Sequence, residues 1–264
     1  LKTVQLSKNL TEIASGTFKE SGLTGITVPE GVTTIASSVF SQCSNLKDVV
    51  LPDSLTSIGS FAFYKCSSLT SVIIPKKVTV IDENVFAYCT GIENFTIPDN
   101  ITEIRDFAFY YCTNLKTVSG GKNVTTIGYG AFYECESLAE FTFGKNVTTI
   151  GDSTFAYCSS LTTVTIPDSV TTIGTAAFFD CEKLSTLILG KGVTVIKNRA
   201  FGLCPFEEVF YKGSPADFEN IDIQSNDSYD KIIAATKYFY SETAPAEEGN
   251  YWHYAEDGKT PLPW

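Results

Sequence analysis

Eight cysteines are the residues of this sequence best equipped for chemistry: Cys43, Cys66, Cys89, Cys112, Cys135, Cys158, Cys181 and Cys204, every consecutive pair 23 positions apart. An even count in a secreted chain usually means disulfides. A strict step of 23, however, places one sulfur at the same point of every structural turn. That is the pattern of a small buried apolar residue, so free buried thiols are expected. Bridges between adjacent turns stay open on spacing alone, because Cα atoms roughly 4.4–6.8 Å apart can be linked. A thiolate nucleophile needs a base beside it, and the one histidine, His253, lies in the last stretch of the chain. The same distance in sequence argues against a serine triad. No Cys-x-x-Cys pair offers a metal site. The acidic residues are scattered over loops rather than gathered as paired carboxylates. Gly120-Gly121 ends a strand and opens no phosphate-binding helix. The expectation is a non-enzyme with no catalytic residue, no cofactor and no metal.

The elements that carry these cysteines repeat with them. Phe40, Phe63, Phe86, Phe109, Phe132, Phe155, Phe178 and Phe201 precede the cysteines by three residues, and Phe18 is a ninth member offset by 22, the missing residue lying between Ser21 and Leu23. A 23-residue unit with seven apolar positions, such as Val170 to Gly190, cannot bury its apolar side alone, whereas stacked copies close one another's core. In each unit Leu-x-x-Val-x-Ile-Pro, as in Leu69 to Pro75 and Leu161 to Pro167, predicts a short strand. It is ended by Pro or Gly (Pro29, Pro52, Pro75, Pro98, Gly121, Gly144, Pro167, Gly190). Strands that return after one full turn must run parallel, with right-handed crossovers. The return path, Val-Thr-x-Ile and then Ala-Phe-x-x-Cys, predicts a short helical turn, and Ala62, Ala108, Ala131, Ala177 and Ala200 leave room for an inward ring.

The predicted fold is therefore a solenoid: a right-handed superhelix with one short parallel strand and one short helical turn per repeat. The strand joined to Val-Thr-x-Ile-Gly-x-x-Ala-Phe-x-x-Cys resembles the BspA-like, Treponema-type leucine-rich repeats over about residues 1–211. The resemblance implies a bacterial surface or secreted protein, in some members an adhesin.

Three regions are expected: a leucine-rich-repeat solenoid over 1–204, a C-terminal cap over 205–240 and an aromatic, acidic tail over 241–264. Leu1-Lys-Thr-Val4-Gln-Leu6 already matches the strand motif, so the chain is expected to begin inside a repeat. Ser214 and Pro215 predict a helix start, a second short helix is expected over 230–236, and a strand over 237–240. A net charge of −11 disfavours nucleic acid and anionic lipid as partners. Apolar runs are too short for membrane insertion.

Any binding site is expected on the concave sheet, on side chains flanking the inward Val. Before it stand Asp48, Ser71, Asn94, Thr117, Glu140, Thr163 and Thr186; after it stand Val50, Ile73, Thr96, Ser119, Thr142, Thr165 and Ile188. This row is small and hydroxyl-bearing, without an aromatic ring, which favours a host or bacterial surface protein over a glycan. A spacer or cell-surface scaffold without a ligand is the alternative, and a glycan-binding module a weaker one. Tyr64, Tyr88, Tyr110, Tyr111, Tyr133, Tyr157 and Phe179 are expected to shield the outer edge between turns, with an interface contact row as the other reading. Asn-x-Ser/Thr triplets at Asn9, Asn94, Asn100, Asn123, Asn146 and Asn226 follow from the repeat, and would be glycan acceptors only in a eukaryotic secretory pathway.

Overall fold

A computed structural model describes residues 1–224, 231–246 and 248–264; Asn226 and Asp230 lie outside them. The repeat folds as stacked coils. A face-to-face column of phenylalanines runs through their centre: Phe18, Phe40, Phe63, Phe86, Phe109, Phe132, Phe155, Phe178 and Phe201, with neighbouring ring centroids 5.1–5.7 Å apart and planes within 24° of parallel. That spacing is slightly wider than the rise of about 4.8 Å between parallel strands. One ring per coil therefore fills the core almost continuously, and the small residue before it keeps the backbone close.

The strand predicted from Leu-x-x-Val-x-Ile forms in most coils and pairs in parallel, for example Gly25–Thr27 with Asp48–Val50, Asn94–Ile97 with Thr117–Gly120, and Thr163–Thr165 with Thr186–Leu189. The ladder is interrupted at residues 71–75, which carry no strand, and again between Glu140–Phe141 and Thr163–Thr165, which do not pair. The return path, expected only as a connection, pairs as well. Val80–Ile81, Glu103–Ile104, Thr126–Ile127, Thr149–Ile150, Thr172–Ile173 and Val195–Ile196 form a second continuous parallel ladder. Its threonines explain the invariant step of the motif. Thr102, Thr125, Thr148, Thr171 and Thr194 each donate both backbone N–H and side-chain hydroxyl to the carbonyl of the threonine one coil earlier.

The predicted helical turn takes the form of overlapping four-residue turns. In one coil, Ala62, Tyr64 and Cys66 donate N–H to the carbonyls of Gly59, Phe61 and Phe63, three residues back. The alternate residues Phe61, Phe63 and Lys65 donate instead to Glu83, Val85 and Ala87 of the next coil. Half of the amides thus close turns and half tie the coils together. This alternation needs left-handed residues at Phe61 (φ 61°) and Lys65 (φ 57°), repeated in the other coils, as at Phe107 and Tyr111. A left-handed L-residue costs roughly 1–2 kcal/mol, and each bond to the next coil offsets part of that.

At the C-terminal end the coils become irregular. Ser214 accepts from the N–H of Asp217 and caps the helix Pro215–Glu219, with Asp217 returning the bond. Asp222–Ile223 extends the second ladder onto Val195–Ile196. Lys231–Ala234 is helical, and Thr236–Tyr240 pairs in parallel with Glu208–Tyr211. Tyr251–Tyr254 adds a further parallel strand, and Pro261–Pro263 folds back on it antiparallel.

Candidate functional site: the open sheet face

The cysteines offer no reactive site. All eight are buried free thiols. Each sulfur donates to the carbonyl of a core phenylalanine one coil earlier: Cys66 to Phe40 at 3.1 Å, Cys112 to Phe86 at 3.1 Å, Cys204 to Phe178 at 3.0 Å. Burial pushes the Cys112 thiol up to about 12, so the nucleophilic thiolate is disfavoured. His253 stacks on Trp264 with centroids 4.0 Å apart, and its Nδ1 lies 2.9 Å from the carbonyl oxygen of Tyr254. Among the described residues, no three His, Cys, Asp or Glu side chains gather as a metal site. Two of the triplet asparagines serve the stack: Asn123 donates its amide to the carbonyl of Asp99 at 2.8 Å, and Asn146 to that of Lys122 at 3.2 Å.

The residues flanking the inward Val recur on one side of the coils, on three separate sheets, with Ser71 and Ile73 in the break between the first two. Parallel pairing in register, Asn94 with Thr117 and Thr163 with Thr186, puts equivalent side chains on the same side. Asp48, Val50, Ser71, Ile73, Asn94, Thr96, Ser119, Glu140, Thr142, Thr163 and Thr165 are exposed, while Thr117 and Thr186 are half-buried. Thr117 donates its hydroxyl to Asn94 at 2.7 Å. The first half of the face holds an apolar pair on successive coils, Val50 at 57% exposure and Ile73 at 86%.

Two expectations fail at the far end. Ile188 is 1% exposed, because Phe210 and Trp252 pack over it. The face also carries aromatic rings. Register aligns Thr165, Ile188, Phe210 and Tyr238, and Trp252 stands against Phe210, Tyr240 and Tyr254 with centroids 5.7, 5.1 and 4.9 Å away. Trp252 also donates its indole N–H to the carbonyl of Tyr211 at 2.9 Å. The open face therefore runs from Asp48 to Thr165 and ends at an aromatic mound. The repeat pattern does not reveal this mound, since the covering residues lie outside the repeats; the aromatic content of 251–254 was the available signal.

The tyrosine row forms a chain of ring contacts along the turns: Tyr64, Tyr88, Tyr110, Tyr133, Tyr157 and Phe179, with successive centroids 5.2–5.7 Å apart, edge-on except for the stacked pair Tyr110 and Tyr133.

The sequence profile for the BspA type leucine rich repeat region matches residues 1–93 and 81–208, in 6 copies. The chain belongs to the BspA-type leucine-rich-repeat family. Its fold is likewise similar to solved members of the leucine-rich-repeat group. A Treponema pallidum leucine-rich repeat protein is 30% identical, with a TM-score of 0.54 over 58% of this chain and 72% of that one. One from Eubacterium ventriosum is 25% identical, with a TM-score of 0.59 over 72% and 61%. One from Bacteroides ovatus, 20% identical, shares the fold with a TM-score of 0.61 over 88% and 72%. No curated protein matches the sequence. BspA-type coils of this kind are repeat scaffolds.

Proposed function

We propose that this chain is a non-catalytic, cell-surface or secreted binding module whose open sheet face takes an extended segment of a host or bacterial surface protein. The observation that carries the reading is Ile73. An isoleucine left 86% exposed one coil after the exposed Val50, where the ladder is interrupted, is an anchor for an apolar side chain of a partner. Burying it removes apolar surface at about 25 cal/mol per Å². The threonines and serine beyond it, Thr96, Ser119, Thr142 and Thr165, supply hydroxyls to a partner's polar groups without presenting repelling charge. Solenoids bind extended partners on such faces. The extracellular placement rests on the family, and no helix among the described residues is long and apolar enough to cross a membrane.

The test is a binding screen of the chain against immobilised matrix and surface proteins, with Ile73→Arg and the Thr142→Arg/Thr163→Arg pair beside it. Saturable binding lost in both variants, with circular dichroism unchanged, supports the sheet face. Binding retained in both moves the site elsewhere. No binding to any of them favours a spacer role.

A further inference from the structure

Along the turns, on a side of the coils distinct from the sheet face, Gln42, Lys65, Tyr88 and Tyr111 occupy the position just before successive cysteines. Ser44, Ser67 and Thr90 occupy the position just after. The two rows border an open groove of about 420 Å³, within the roughly 300–1,000 Å³ range of small-ligand sites. Left-handed backbone at Gln42, Lys65, Tyr88 and Tyr111 holds the first row at the same point of each coil.

The chemistry of this groove is specific. Tyr88 and Tyr111 are half-buried rings tilted 34° to one another with centroids 5.0 Å apart, aromatic surface for the apolar C–H face of a sugar. Hydroxyls of Ser44, Ser67 and Thr90 and the amide of Gln42 match sugar hydroxyls. The Lys65 ammonium lies 5.2 Å above the Tyr64 ring and 5.0 Å above that of Tyr88, and among the described residues it makes no ion pair. The groove lining contains no carboxylate. At one end Glu20 holds the Gln42 amide at 3.1 Å and faces Lys19 at 3.9 Å. One coil past the other end, the same two rows carry Glu134 and Glu136, then Asp180 and Glu182. A carboxylated ligand therefore meets the counter-charge of Lys65 in the groove lining and repulsion further along.

We infer that the groove formed by Gln42, Lys65, Tyr88 and Tyr111 binds a short acidic glycan. A uronic acid ring packs against the tyrosine rings, and its carboxylate pairs with Lys65. This site is independent of the protein-binding reading of the sheet face.

The probe is a trimer of galacturonic acid, titrated calorimetrically into the full chain beside its methyl-esterified form. Saturable binding is expected, weakened by rising salt. Esterification and Lys65→Gln should each weaken it about tenfold or more, the loss of one charged hydrogen-bonded contact. Ile73→Arg on the sheet face should leave it unchanged. Absence of saturable binding at millimolar trimer would overturn the inference. So would equal affinity for the esterified form, equal affinity of Lys65→Gln, or loss of binding in Ile73→Arg alone. Lys65 is exposed, so its replacement leaves the core intact.

Discussion

The sulfur of Cys112 donates to the carbonyl of Phe86 across 3.1 Å, joining two coils through one thiol. The bond gives the cysteine step a structural reason: the thiol is a second donor, from the next coil, to a carbonyl that already accepts the Cys89 N–H at 3.0 Å. Serine already stands at this position in the first coil, where Ser21 lies 3.3 Å from the Cys43 sulfur. Cys112→Ser keeps the donor and should cost under about 1.5 kcal/mol. Cys112→Val removes the donor and overfills the site, costing about 2–4 kcal/mol. Denaturant midpoints of the two variants check the order; a Val variant as stable as the Ser one would refute the role of the bond.

The same burial makes a prediction about reactivity. With all eight thiols buried, and those of Cys112 and Cys158 raised by desolvation, a disulfide reagent at neutral pH should label none of them in the folded chain and all eight after denaturation without reductant. Fewer than eight on unfolding would reveal bridges.

Phe109 touches Phe86, Phe132 and Phe95, whereas Phe18 stacks on Phe40 at the end of the column. Phe109→Ala should therefore cost about 3–5 kcal/mol and Phe18→Ala less, in thermal or chemical unfolding. Equal losses would show that the column does not couple the coils.

Tyr110 and Tyr133 are pushed up to about 12, first by desolvation and then by neighbouring tyrosines and Glu134. A folded value above the unfolded 10.0 means that the neutral phenol is favoured in the fold. Their contribution to stability is complete below the unfolded value and is lost as pH rises from about 10 to about 12. Tyr110→Phe/Tyr133→Phe should flatten the alkaline loss of stability, followed by unfolding melts across that window. A slope identical to that of the parent would count against it.

Trp252 seals the end of the sheet face. Trp252→Ala should uncover Ile188 and Phe210, weaken the last strands by about 3–5 kcal/mol, and make the chain beyond Tyr240 the first to yield to protease. An unchanged digestion pattern would show that the mound is dispensable.

The sequence by itself determined the solenoid, its 23-residue step, the inward phenylalanines and the buried sulfurs. A repeat that cannot close its own core has one way to bury it, and period alone reveals which positions point inward. It also placed the exposed residues from Asp48 to Thr165 on one face, because alternation along a strand assigns sides. Tertiary structure alone decided what depends on neighbours in space. Val-Thr-x-Ile became a second ladder, since its pairing partner lies one coil away and leaves no local signature. Ala-Phe-x-x-Cys became overlapping turns rather than helix, because every second amide finds its acceptor on the next coil. Ile188 lost its exposure to Trp252, 64 positions later in the chain, and no pattern within a repeat can foretell which residue from beyond the repeats folds back to cover it.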